Sequence, residues 1–360
     1  EFLAKNKESG QVIPQRQYVE QVIFQNNLNG INETKWDVSQ LKDGTIWAWY
    51  TTRTADDGTT LYTVYIGSYI IMNGNVNSSY LFANLGKNSK CKITGDTIDN
   101  EFIENLHILQ TASIINMSHM FDNCGYANMQ SLDLGSAFNT VSATKMNSMF
   151  AYCGYKLMKS FDLGEKFDTS KVTDMGDMFI SFGYIALTSL DLGEYFDTSN
   201  VIWFGHMFDS CGETAMSSID LGENFDTSSA IDMAYMFEQC GKNKLIELDL
   251  GDKFDTSKVT NMKHMFSTTG EYTLTSLDLG DKFDTSNVTN MECMFSMCGA
   301  TMLTNLDLGD KFDTSKVINM ELMFNEVGKY TLTSLDLGDK FYTTNVTNMY
   351  GMFHMCGLES

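Results

Sequence analysis

Carboxylates that recur at one spacing are the residues of this sequence best suited to chemistry. An aspartate follows the same apolar pattern every 29 residues, at Asp133, Asp162, Asp191, Asp220, Asp249, Asp278, Asp307 and Asp336. If the copies stack like strands, neighbouring carboxylates lie about 5 Å apart and repel one another unless each has a partner. A cation such as calcium is one partner, and hydrogen bonds from Ser, Thr or backbone N–H groups are the other.

We expect local hydrogen bonds rather than calcium, and therefore no cofactor and no resident metal. The candidate cation ladder, should calcium bind, consists of Asp191, Asp220, Asp249, Asp278 and Asp307. A second aspartate recurs in "FDTS", where side-chain-to-backbone hydrogen bonds form turns. This second set is Asp168, Asp197, Asp226, Asp255, Asp284 and Asp313.

Catalysis by paired acids is not indicated. A glycosidase needs two carboxylates in unequal environments across a cleft, whereas these aspartates repeat in identical surroundings. The chain also lacks the Gly-x-Ser-x-Gly, His-Glu-x-x-His and phosphate-loop motifs. We expect no enzyme and assign no catalytic residue.

Six of the eight cysteines share one repeat position, three residues after the phenylalanine of "MF". They are Cys124, Cys153, Cys211, Cys240, Cys298 and Cys356. Other copies place Phe182, Thr269 or Val327 there, so the position predicts an inward packing slot rather than a disulfide or zinc ligand. Cys293 occupies a different position, where copies vary widely, and we expect it to be exposed.

Departures from the repeat point to a binding surface. Trp203 stands where other copies have Asn or Asp, Tyr195 where lysine is usual, and Tyr184 follows the glycine that ends the predicted helix. Exposed Trp and Tyr are favoured anchors for partners, so these three are the candidate partner-binding residues. The alternative is local repacking around a bulkier copy.

A strict period places all these residues. The glycine of "DLG" falls at Gly135, Gly164, Gly193, Gly222, Gly251, Gly280, Gly309 and Gly338, always 29 residues apart. Within one copy, the alternation of Leu277 and Leu279 predicts a short strand. Met291, Met294 and Phe295 have the spacing of one helix face, with Asn290 as N-cap and Gly299 as the end.

The sequence therefore predicts an α+β repeat solenoid, a leucine-rich-repeat-like right-handed coil with one short strand and one short helix per 29-residue unit. We divide the chain into a polar lead segment (1–35), an N-terminal mostly β cap (36–110) and a solenoid of about eight to nine units (111–360). "TIWAWYTTRT" and "TLYTVYIG", separated by "ADDG", predict a hairpin in the cap, and "QVIF" predicts a strand in the lead.

The charge excludes some partners. A net charge of −22 and a pI near 4.4 disfavour nucleic acid and anionic membranes. The sequence contains no apolar stretch long enough to span a membrane. Basic proteins and divalent cations stay compatible with this charge.

The repeat "LTSLDLGDKFDTSNVTNMECMFSMCG" resembles those of BspA-like leucine-rich-repeat surface proteins of bacteria. The stretch at 36–67, with "NSSYLF" at 77–82, resembles the lead-in that precedes such arrays. Lys282 and Asp284 depart from the general leucine-rich pattern, which has Asn or Cys and then Leu there. The resemblance implies an extracellular or cell-wall-attached protein that sticks to other proteins and carries no catalytic residues.

We thus expect a non-enzymatic surface protein that mediates adhesion to host or neighbouring-cell proteins. Its anchor and signal peptide are expected outside this chain, with further repeats after Ser360. One alternative is a structural stalk that presents another domain. A second is a carbohydrate-binding module, for which only the aromatic stretch 179–208 is suggestive.

Overall fold

The computed structural model describes residues 14–39, 43–88 and 103–357. Residues 1–13 of the expected lead, 40–42 and 89–102 of the expected cap, and 358–360 of the last repeat lie outside the described residues. In the described part, no helix is long and apolar enough to cross a membrane.

A five-stranded sheet lies in the N-terminal part. It follows a short 3-10 helix (Arg16–Tyr18) and contains β1 (Val19–Gln25), β2 (Trp36–Asp37), β3 (Ile46–Thr54), β4 (Thr60–Ser68) and β6 (Ile103–Glu104), in the order β2-β3-β4-β1-β6. The antiparallel β3–β4 pair confirms the predicted hairpin, and β1 confirms the predicted strand in "QVIF". Since β1 pairs with β4, a strand of the expected lead belongs to the same sheet as the expected cap.

A first copy of the repeat precedes the regular array. β5 (Met72–Asn73) pairs in parallel with β7 (Leu109–Gln110), which follows a second 3-10 helix (Leu106–Ile108). Asn77 then bridges Asn116 in parallel, and the Phe82 ring stacks on Phe121 with 5.2 Å between centroids. The interval from Phe82 to Phe121 is 39 residues rather than 29, so a search at the strict period misses this copy.

Each later copy contributes one three-residue strand. These strands are β8 (Ser131–Asp133), β9 (Ser160–Asp162), β10 (Ser189–Asp191), β11 (Ser218–Asp220), β12 (Glu247–Asp249), β13 (Ser276–Asp278), β14 (Asn305–Asp307) and β15 (Ser334–Asp336). They pair in parallel two by two, as β8–β9, β10–β11, β12–β13 and β14–β15, with equivalent residues opposite. The central residue of each strand faces inward, while the flanking Ser, Glu or Asn and the Asp are exposed.

The predicted helix of each repeat is wrong, and with it the predicted α+β solenoid. The helical segments of the described chain are the two 3-10 helices named above, both outside the regular copies. In the copy for which the helix was predicted from Met291, Met294 and Phe295, Cys293 has a φ of 54° and Met297 a φ of 58°. A left-handed residue at every fourth position interrupts any right-handed helix.

Hydrogen bonds explain what replaces the helix. The N–H groups of Met291, Cys293 and Phe295 donate to carbonyls of the next copy at 2.8–3.0 Å. The intervening N–H groups of Met294 and Ser296 donate to carbonyls three residues earlier, at 3.1 and 3.0 Å. Successive turns thus present the apolar side chains inward at the same i, i+3, i+4 spacing that suggested a helix. Asn290, the predicted N-cap, instead accepts the Glu292 N–H at 3.1 Å and closes a turn.

The core runs unbroken from the sheet through the copies. Its central feature is the stack of "MF" phenylalanines, whose ring centroids are 5.3–5.8 Å apart from Phe121 to Phe353. Methionines such as Met262 and Met265 are fully buried around it. Buried threonine hydroxyls join neighbouring copies, as where Thr256 donates to the Asp284 carbonyl at 2.9 Å. This combination of stacked rings and inter-copy hydrogen bonds sets the spacing of the array.

Candidate functional site

Each aspartate of the first recurring set closes a turn within its own copy. Its Oδ1 accepts the backbone N–H of the glycine two residues later at 2.7–2.9 Å, in all eight copies. That glycine has a left-handed φ, 74° at Gly280, which the turn requires. The expected local hydrogen bond is therefore confirmed for the whole set, including the candidate cation ladder. The expectation that these carboxylates bind no calcium stays a prediction.

The second aspartate set also forms turns, as predicted. Oδ1 of each accepts the N–H of the serine two residues later at 2.8–2.9 Å. Burial raises the pKa of Asp255, but hydrogen bonds from Ser257 and two nearby lysines together outweigh burial and hold that pKa below its usual range. These carboxylates are thus committed to the backbone of the repeat.

An open groove of about 510 Å³ crosses three copies beside Tyr195. It lies where β9 and β10 are not joined by a ladder. Five carboxylates line it together with Tyr195: Asp133, Asp162, Glu165, Asp191 and Glu194. A second groove of about 470 Å³ shares Glu165, Glu194 and Tyr195 and is also lined by Lys166 and Asn224. Tyr195 therefore belongs to both grooves, and we call the two together the Tyr195 grooves.

The Tyr195 grooves have less positive charge than the equivalent surface of later copies. Lysine occupies the Tyr195 position in Lys253, Lys282, Lys311 and Lys340. At this position the Tyr195 grooves are lined by Lys166, Tyr195 and Asn224, so only one of the three keeps the lysine. The Tyr195 side chain is about half exposed, and a hydrogen bond to Glu194 raises the pKa of its phenol. The substitution therefore exposes an aromatic ring and removes a cation among carboxylates.

Trp203 lies at a different place, in the column of residues that bridge successive copies. It pairs in parallel with Asp174 and Asp232, and its side chain is 51% exposed. Those two aspartates close turns by accepting the N–H groups of Gly176 and Ala234, a role that an indole cannot take. A groove of about 440 Å³ is lined by Trp203, both aspartates and His206.

Tyr184 is part of a stacked ladder rather than an isolated anchor. The rings of Tyr126, Tyr155 and Tyr184 stack with 4.6 and 4.5 Å between centroids and 10° between planes. The pKa of the Tyr184 phenol is raised mainly by partial burial and, to a smaller extent, by a hydrogen bond with Glu213. Tyr195 and Trp203 line different grooves, and Tyr184 lines none of these grooves. The three candidate residues occupy three different columns.

Another column carries titratable side chains that the sequence reasoning did not identify. Two residues before Phe82 and before each "MF" phenylalanine stand, in order, Tyr80, His119, Ser148, Asp177, His206, Tyr235, His264, Cys293, Leu322 and Gly351. His206 stacks on Tyr235 at 4.3 Å, and Tyr235 stacks on His264 at 4.8 Å. We call this the histidine column. The sequence already shows that His119, His206 and His264 share one repeat position, because their intervals of 87 and 58 residues are multiples of 29.

Polar partners hold the histidines of this column. His206 Nδ1 lies 2.9 Å from Asp209, and this hydrogen bond raises the pKa of His206. Burial lowers the pKa of His264, but hydrogen bonds to Cys293 and Glu238 outweigh it and raise that pKa to about 9. Cys293 is 7% exposed, so the expectation that it is exposed is wrong. The Cys293 thiol lies beside the His264 side chain of the preceding copy.

Five of the six cysteines at the shared repeat position occupy a packing slot, as predicted, while Cys356 in the last copy is only partly buried. Cys124, Cys153, Cys211, Cys240 and Cys298 are free and fully buried, and so is Phe182 at the same position. Burial raises the pKa of the Cys298 thiol to about 12, so the thiol is uncharged at neutral pH. These thiols act as small apolar side chains.

Comparison with known families gives one match. A family model described as "Mycoplasma protein of unknown function, DUF285" matches residues 96–182, 115–248, 182–300 and 242–358. The overlapping matches follow the repeated copies and run over more than half of the chain. No curated protein and no solved structure matches it.

Proposed function

The chain belongs to the repeat family described as Mycoplasma protein of unknown function, DUF285, and we propose that it is a non-enzymatic bacterial surface protein that binds other proteins. The resemblance of its repeats to BspA-like leucine-rich-repeat proteins supports this proposal. Under this proposal, the chain is extracellular or attached to the cell wall, and it adheres to a host or neighbouring-cell protein. The copies serve as a scaffold, and departures from the repeat carry the binding.

The Tyr195 grooves are the observation that carries the proposal. Their carboxylates lie on consecutive copies, and the lysine that accompanies them elsewhere is replaced by Tyr195. Lys or Arg side chains of a partner would meet complementary charge there, and the Tyr195 ring offers a cation–π contact. With a net charge of −22, the chain also attracts a basic partner over distance at low salt. We therefore assign the grooves to a basic segment of the partner protein.

The test is capture of extracellular and mucosal proteins on the immobilised full chain, at low and at physiological salt. Tyr195→Lys restores the usual residue of the repeat, so it should fold normally and weaken capture. Tyr272→Lys is the matched control, since it also replaces an exposed tyrosine with lysine but lies outside both grooves. Equal capture by the two variants would refute the assignment to the grooves. A chain that captures no protein would refute the binding function and favour the stalk alternative.

A further inference from the structure

Three side chains with metal-ligand chemistry converge in the histidine column. His264, Glu292 and Cys293 each offer one ligand atom, and these atoms all lie within 4.8 Å of one another. Cys293 is buried, while the side chains of His264 and Glu292 are 23% and 24% exposed. The cluster is thus enclosed by protein and open to solvent on one side.

The repeat period itself creates this cluster. Cys293 stands one period after His264, since 264 + 29 = 293, so the two side chains occupy the same position on neighbouring copies. Glu292 is adjacent in sequence and comes from the same copy as Cys293. Among the copies, only this pair places a histidine directly before a cysteine in the histidine column. The equivalent residues elsewhere include Ser148, Tyr235 and Leu322.

A third copy fixes the orientation of the imidazole. Glu238 Oε1 lies 3.0 Å from His264 Nδ1, and the Tyr235 ring stacks on the imidazole with 16° between planes. A carboxylate on one ring nitrogen, with the other directed at the ion, is the usual arrangement of a histidine ligand. Glu238 therefore plays the supporting part that a metal-bound histidine requires.

We propose that His264, Cys293 and Glu292 bind a divalent transition-metal ion, with zinc the best match. One nitrogen, one sulfur and one oxygen ligand suit zinc, whereas calcium and magnesium take oxygen ligands alone. Tetrahedral zinc bonds of about 2.0–2.3 Å place ligand atoms roughly 3.5 Å apart. Side-chain rotations that close the present separations by about 1 Å complete the site, with water as the fourth ligand.

Lys263 competes with the ion in this arrangement. Its Nζ lies 3.0 Å from Glu292 Oε1, while Asn319 donates to Glu292 Oε2 at 3.0 Å. A metal ion beside Glu292 is repelled by this ammonium group, whereas the neutral Asn319 amide can keep its hydrogen bond. Removing Lys263 should therefore strengthen metal binding, an effect opposite to that of removing a ligand.

The experiment is titration of the reduced, metal-free full chain with Zn²⁺ by calorimetry, and with Co²⁺ by absorption spectroscopy. Cys293→Ser and His264→Tyr should each weaken Zn²⁺ binding at least tenfold, and the first should abolish the cobalt–thiolate absorption. Ser148 and Tyr235 occupy equivalent positions, so both variants should fold. Glu238→Gln should weaken binding by about 10–100-fold, and Lys263→Met should tighten it.

Cys298→Val is the matched control, because Val327 occupies its equivalent position and Cys298 lies in the packing slot. This variant should bind Zn²⁺ like the unaltered chain. Absence of a one-to-one Zn²⁺ complex, or a Zn²⁺ affinity unchanged in Cys293→Ser, would overturn the proposal. The site lies apart from the Tyr195 grooves, so neither result bears on protein capture.

Discussion

The two sides of each copy differ in how they hold their neighbours. We call 290–299 and its equivalents the turn side, and 276–283 and its equivalents the strand side. On the turn side, parallel bridges run without interruption from Asn77 to Asn348. On the strand side, no ladder joins β9 to β10, β11 to β12 or β13 to β14 in the described chain.

Ring spacings show the same contrast. The "MF" phenylalanines of the turn side stack at 5.3–5.8 Å. The "KF" phenylalanines of the strand side and their equivalents are 6.3–6.5 Å apart where they stack. Neighbouring copies thus lie closer on the turn side, and wider spacing on the strand side is consistent with strands that pair only two by two. The turn side sets the spacing, and the groove beside β9 and β10 opens on the strand side.

The largest effect should come from a cavity in the turn side. Phe266 is fully buried and stacks on Phe237 and Phe295. Phe266→Ala should lower the free energy of unfolding by about 3–5 kcal/mol, measured by denaturant titration. Leu277→Ala on the strand side should cost less, because Leu277 is smaller and retains slight exposure. An equal or larger loss from Leu277→Ala would contradict the assignment of spacing to the turn side.

A buried threonine offers the next test. Thr256→Val keeps the shape but leaves the Asp284 carbonyl, now bonded at 2.9 Å, without this donor. Because a buried unsatisfied polar group is costly, the variant should lose about 1–3 kcal/mol of unfolding free energy. Thr275→Val is the control. It removes an exposed hydroxyl that donates to the Ile246 carbonyl, and water can replace that donor. Similar losses from both variants would argue against the buried hydrogen bond as a tie between copies.

The aspartate turns of the strand side can be separated from their charge. Asp278→Ala removes the acceptor of the Gly280 N–H, bonded at 2.9 Å, and should cost about 0.5–1.5 kcal/mol. Asp278→Asn keeps an acceptor oxygen and should retain most of that stability. The measurement is thermal unfolding of the unaltered chain and of both variants, each with and without a calcium chelator. A chelator-dependent loss of stability in the unaltered chain, absent in Asp278→Asn, would favour calcium over a simple turn.

The smallest expected effect is that of Gln239→Gly, and here the direction of the change in unfolding free energy is the test. Gln239 has φ 54° on the turn side, a conformation that costs a non-glycine residue about 1–2 kcal/mol. Gln239→Gly relieves this strain and loses some backbone entropy, so its stability should stay equal or rise by up to about 1 kcal/mol. In a helix, the same change would destabilise by about 1 kcal/mol. Denaturant titration decides between a rise and a fall.

Much of the architecture followed from residue spacing, and one error came from it too. The period, the strand at Leu277, the hairpin and the cysteine packing slot were all predicted. The helix was wrong because Met291, Met294 and Phe295 face inward both in a helix and in successive turns. The residue types do not predict a left-handed φ at Cys293 or Met297, because glycine and asparagine are the residues that usually adopt this conformation.

The candidate site was foreseen only in part. Replacement of lysine by Tyr195 and of Asn or Asp by Trp203 was visible in the repeat, but the assignment of the two residues to separate grooves needed coordinates. Glu238, His264 and Cys293 belong to three copies, and their contact depends on the direction in which each turn points its side chain. The spacing of the histidines was readable, whereas the burial of Cys293 was not.

The sequence by itself determined that copies repeat every 29 residues, which repeat positions hold the recurring apolar side chains of the core, and where aspartates close turns. These features depend on the period and on contacts two residues apart. Only the tertiary structure decided how the backbone N–H groups are shared between copies. The N–H groups of each turn-side segment can donate to carbonyls within a helix or to carbonyls of the next copy. The second arrangement forms because the neighbouring copy is stacked against the segment. The same stacking decided which side chains of different copies meet.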